Sequence, residues 1–132
     1  MTGLQHIRLV LAREPGHPHG DPTEGWDIVA PLDAEGGLDR PACRGAPDRC
    51  RVRRFSHGET LATGRLRHGA GDRWWLDLDG RDDLDARGFR LGEERFVVGE
   101  YVSIVSADDT PHTYVVERVT PVADGAARRG AR

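Results

Sequence analysis

Glycine and proline interrupt this chain so often that no long helix fits between them. Seventeen Gly and eight Pro fall among 132 residues, about a fifth of the chain, and leave apolar segments of strand length only. Glycine weakens a helix through backbone entropy and proline by removing an N–H donor, whereas both suit the turns between short strands. Length sets the other bound. A chain of 132 residues is the size of one domain and can close a core without metal or disulfide staples.

Between the breakers, side-chain character alternates with a period of two, the mark of a half-buried strand. Residues 4–13 place Ile7, Leu9 and Leu11 on one face before Glu14-Pro15-Gly16 stops the run, and residues 26–30 form a short apolar run ended by Pro31. In residues 50–55, Cys50, Val52 and Arg54 fall on one side and Arg51, Arg53 and Phe55 on the other; residues 61–68 are placed to pair with them. Residues 74–79 set Trp74, Leu76 and Leu78 against Trp75, Asp77 and Asp79. Residues 100–106 and 113–119, rich in β-branched and aromatic side chains, predict a hairpin around Asp108-Asp109. Residues 39–48 read as a loop or a helical turn, and residues 80–92 as an acidic loop. The expectation is a mainly β protein, a small antiparallel barrel or sandwich of about six or seven short strands with long Pro/Gly-rich loops. It predicts a single domain over residues 1–120 and a flexible tail over 121–132.

Charge is blocked along the chain. Residues 21–39 hold six acids and no Arg, residues 40–68 eight Arg against Asp48 and Glu59, and residues 77–100 eight acids against four Arg. Such blocks predict pairing across neighbouring strands within one compact domain. All nineteen basic residues are Arg, and Asn is absent as well. The codon bias of a GC-rich genome explains both, so the arginine count alone is no evidence for phosphate binding. No 18-residue apolar run predicts a membrane span. The first residues lack a basic leader and a small-residue cleavage site, so the expected compartment is the cytoplasm.

The strings Ala30-Pro31-Leu32-Asp33, Cys50-Arg51-Val52-Arg53-Arg54-Phe55 and Gly99-Glu100-Tyr101-Val102-Ser103-Ile104 resemble a family of short uncharacterised proteins from alphaproteobacteria. The resemblance spans about residues 6–119. That family carries no assigned activity, so the resemblance implies no catalytic residue.

Four sets of residues invite chemistry. His17-Pro18-His19 followed by Glu24 resembles the first metal motif of cupins, and Thr110-Pro111-His112 resembles the strand entry of a cupin's last ligand. The resemblance implies a divalent metal on His17, His19, Glu24 and His112, serving a metal-dependent enzyme. Against it, Pro18 interrupts the strand that would present both imidazoles on one side. Cys43 and Cys50, with His57 and His68 nearby, offer zinc ligands, but six intervening residues are too many for a zinc knuckle. Cys50 then reads as a small buried hydrophobe and Cys43 as a loop thiol. Residues 83–94 approach a calcium loop with Asp83, Asp85, Gly88 and Glu94, but Arg87 stands where an oxygen ligand belongs.

The last set is a face of Arg49, Arg51, Arg53, Arg54, Arg65 and Arg67 with Phe55, Trp74 and Trp75. Guanidinium groups there would meet phosphates and aromatic rings would stack on bases. The acidic neighbours and a sequence pI near 6.0 oppose a large positive field, and with it nucleic acid as partner. Ser56 and His57 are adjacent on a strand, where successive side chains face apart, which predicts no nucleophilic dyad. The sequence favours a binding or interaction module without catalysis or cofactor, taking another protein or a small ligand. The cupin-like enzyme and the nucleic-acid binder are its alternatives.

Overall fold

The computed structural model describes residues 3–69, 73–88 and 91–122. Eight strands form one closed antiparallel barrel in chain order: β1 (Gly3–Leu11), β2 (Asp21–Leu32), β3 (Arg51–Ser56), β4 (Glu59–His68), β5 (Trp74–Leu78), β6 (Ala86–Gly88), β7 (Tyr101–Val105) and β8 (Pro111–Pro121). β8 pairs back onto β1 and leaves no open edge between them. The sequence expectation of a small β barrel holds. Its count was short by β6, three residues without an apolar run, and it shortened β2. The tail expected over 121–132 falls, from residue 123 on, outside the described residues.

β2 runs through Pro22 and through Pro31, which sequence reasoning takes for its end. Pro31 survives because its carbonyl accepts from Asp39 N–H, which turns its nitrogen to the β3 side, and pairing with β3 stops at Val29. β3 and β4 meet in a two-residue turn with His57 at φ 53° and Gly58 at φ 78°, the double left-handed geometry that suits a twisted hairpin. Between β2 and β3 the chain forms α1 (Arg40–Gly45), whose N-cap Asp39 accepts from Ala42 N–H at 3.1 Å.

The inward positions form the core. Ile7, Leu9 and Leu11 of β1 face Trp26, Ile28 and Ala30 of β2, and Trp74, Leu76 and Leu78 of β5 close the far side with Val102 and Ile104 of β7. Each fully buried residue of this size is worth about 1.5–3 kcal/mol of transfer free energy. Outward positions are largely charged: Arg8 and Asp27, then Arg51, Arg53, Arg65, Arg67 and Asp77. An apolar inside and a charged outside reverse the pattern of a membrane-spanning barrel. Among the described residues no helix is long and apolar enough to cross a membrane.

Candidate functional site

Registers across β1 to β4 bring outward side chains into rows. One row runs Arg8, Asp27, Arg53 and Thr63; the next runs His6, Val29, Arg51 and Arg65. Asp27 is the one buried charged residue among the described core positions, at 7% exposure. Its carboxylate accepts from His6 Nε2 at 2.8 Å, from Arg8 Nη1 at 3.2 Å and from Arg53 Nη1. A carboxylate taken from water at this depth needs such partners. Here two guanidinium groups and an imidazole surround one carboxylate, and Arg8 Nε also pairs with Glu117 at 3.3 Å.

Phe55 anchors the cluster from the same outer face. It is fully buried there because Gly25, its partner on β2, leaves room: a Cβ on Gly25 would lie 2.9 Å from the Phe55 ring and 1.9 Å from the Leu9 carbonyl oxygen. Arg8 lies over the ring at 4.3 Å and Arg53 at 5.3 Å from its centroid. Each such contact contributes about 0.5–1 kcal/mol near a surface and fixes a guanidinium that would otherwise sweep through solvent.

Beside this cluster a groove of about 670 Å³ opens on the outer face, with Val29 and Val122 among its apolar walls. Its lining carries Arg8, Arg51, Arg53 and Arg65 against Asp27 and Asp79, an excess of two positive charges before His6 is counted. Arg51 and Arg65 stand directly opposite each other, an unfavourable pairing for like charges. Arg65 is offset by Asp48 at 2.9 Å, whereas Arg51 has no carboxylate partner among the described residues.

The binding face expected from the sequence divides across the barrel wall. Arg51, Arg53, Arg65, Arg67 and Trp75 point outward together, with Arg67 engaged by Asp77. Arg54 and Trp74 point inward. Trp74 is core, stacked on His68 at 4.4 Å, and Arg54 lies over Trp26 at 5.8 Å. Residues that sequence reasoning missed are His6, Arg8 and Asp27. The signal was present: His6 and Arg8 alternate with Ile7 and Leu9, and Asp27 interrupts an apolar run, where an acid requires a partner.

The structure does not bring His17, His19, Glu24 and His112 together. His112 Nδ1 donates to Glu14 at 2.9 Å, while Glu24 is held by Arg54 and by the Ser56 hydroxyl. Among the described residues no group of three or more His, Cys, Asp or Glu side chains is placed to hold a metal ion. Cys43 is not the loop thiol expected but is buried in α1, and shares a hydrogen bond with Cys50 that pushes the Cys43 thiol up. Of the calcium-like residues, Asp83 pairs with Arg81, Asp85 accepts from Leu78 N–H and Arg87 pairs with Asp109.

Ser56 and His57 also correct a sequence expectation. His57 leaves the strand with positive φ, so its Nδ1 comes within 3.2 Å of Ser56 Oγ instead of facing away. The Ser56 hydroxyl donates to Glu24, and Glu24 also accepts from Arg54 and from His57 N–H. A carboxylate so engaged is a poor base, and the trio serves as a clasp on the hairpin turn. Compared with protein-family models, curated proteins and solved structures, the chain matches none.

Proposed function

We propose that this protein is a binding module without catalysis of its own, whose outer groove over β1 to β4 captures a small anionic ligand. The observation that carries the reading is the opposed pair Arg51 and Arg65 beside the Asp27 cluster, in a concavity of about 670 Å³. That volume lies in the range of small-molecule sites. Arg8 and Arg53 are oriented in advance by Asp27 and Phe55, so little side-chain entropy is lost on binding. Guanidinium groups in fixed positions recognise phosphate and carboxylate oxygens by paired N–H donors.

Calorimetric titration with inorganic pyrophosphate at low and moderate salt tests the reading. Saturable binding is expected, weakening about tenfold or more in Arg51→Gln/Arg65→Gln through the lost charge-assisted bonds. Absence of binding at low salt overturns it. A single-stranded oligonucleotide serves as comparator. Much tighter binding, with a steep salt dependence, would transfer the site to nucleic acid along the Arg51–Arg65–Arg67 face.

A further inference from the structure

Arg54 is a strand residue on the inner side of the barrel, where it lies over Trp26 and helps to hold Glu24. It sits opposite Ala62 on β4 and borders a separate cavity of about 220 Å³ at the barrel mouth, on the other side of the wall from the basic groove. Its Nη1 donates to the Gly25 and Phe55 carbonyls and its Nη2 to Glu24. The Nε–H and the second Nη2–H have no hydrogen-bond partner among the described residues. Tyr114, which is 4% exposed, and Trp26 also line the cavity. Trp26 Nε1 is buried beside the Tyr114 hydroxyl, and no hydrogen bond of ordinary geometry satisfies it among the described residues.

The opposite wall is apolar, made by Leu84, Ala86 and Ile104. Donors therefore gather on one side and hydrocarbon on the other. Small eight-stranded barrels have room for one small ligand of this kind at the mouth. A space of 220 Å³ corresponds to roughly seven waters at their liquid volume, the size of a short-chain organic molecule. Burial holds the Tyr114 phenol above its ordinary range, which keeps its hydroxyl a donor at neutral pH.

We infer that the barrel mouth is a second binding site, for a short-chain compound whose carbonyl or carboxylate oxygen bonds Arg54 and Tyr114 while its hydrocarbon body lies on Leu84, Ala86 and Ile104. The site is independent of the anionic groove, because Arg54 faces away from it. Rim carboxylates distinguish the two ligand types. Asp83 is tied to Arg81 and Asp108 to Ser106 and Thr110, and both stay charged near the entrance.

The full chain is titrated with butyrate, with butyramide and with butylammonium, and the indole N–H resonance of Trp26 is followed by two-dimensional NMR. A saturable displacement by butyrate or butyramide, weakened about tenfold in Arg54→Gln, is the expected result. Butyrate as the better ligand identifies the guanidinium charge as dominant, and butyramide identifies repulsion by Asp83 and Asp108. No displacement by either compound overturns the inference. So does an equal displacement by butylammonium, which has no acceptor, or an unchanged affinity in Arg54→Gln. Tyr114→Phe supplies a second variant if Arg54→Gln fails to fold, with a severalfold loss expected; unchanged affinity in it likewise overturns the assignment.

Discussion

At the scale of single residues, Asp27 has the largest electrostatic consequence. Its removal leaves Arg53 and His6 without their carboxylate and Arg8 with Glu117 alone, at 3.3 Å from its Nε. The three partners retain some exposure and can rehydrate, and Arg8 keeps Glu117, so the loss falls at or below the lower end for a broken buried pair. Asp27→Ala is expected to cost about 2–3 kcal/mol in urea unfolding. Combined with Arg8→Gln it should cost less than the sum of the two, since the variants share a partner. Glu24 makes a different prediction. Burial alone would raise its carboxyl, but bonds from Ser56, from His57 N–H and from Arg54 outweigh that and hold it below the ordinary 4.5. A depressed folded value means that Glu24 stabilises the fold above the unfolded value and that this contribution is lost as pH falls through the folded one. Urea midpoints should therefore drop on acidification below the usual carboxylate range, and Glu24→Gln should make that drop shallower.

Among the elements, β6 is the weak member of the barrel. It has three residues and meets β7 through a single register pair, Arg87 with Val105, whereas β1 and β2 pair along nearly their whole length. Arg87 reinforces the junction through Asp109, at a largely exposed site where an ion pair contributes little. Local opening follows the thinnest pairing. Hydrogen exchange should strip protection from residues 86–88 and 101–105 before residues 7–10, and equal protection of the two regions would contradict that order. The same contrast explains what the sequence made legible. Trp74 to Leu78 and Tyr101 to Val105 alternate because each buries one face, so period two announces them. Ala86-Arg87-Gly88 buries only Ala86 and Gly88, the smallest side chains, and carries no hydrophobic signal. β2 was shortened for the opposite reason: Pro31 resembles a breaker until its partners on other strands are known.

Over the whole molecule, the pairing of β1 with β2 and of β2 with β3 creates the groove, because it sets His6 and Arg8 of β1 and Asp27 of β2 beside Arg51 and Arg53 of β3. Alternation within residues 50–55 was enough to put Arg51, Arg53 and Phe55 on one face and Arg54 on the other. The meeting of that face with β1 is a matter of register between distant segments, which no local pattern encodes. The dependence on strand pairing between distant segments gives the groove a thermodynamic signature. An unfolded chain scatters the four guanidinium groups, so an anion that fits the groove binds the native state and leaves the unfolded one nearly untouched. Pyrophosphate at a hundred times its dissociation constant should then raise the unfolding free energy by about 2.7 kcal/mol. General screening of surface charge would act alike on any variant, whereas groove binding requires Arg51 and Arg65. The increment should fall to about 1.4 kcal/mol or less in Arg51→Gln/Arg65→Gln, in step with its tenfold or greater loss of affinity, and persist in full in Arg54→Gln, whose side chain lies inside the wall. Equal stabilisation of both variants would reduce the effect to ionic strength and remove the groove as its cause.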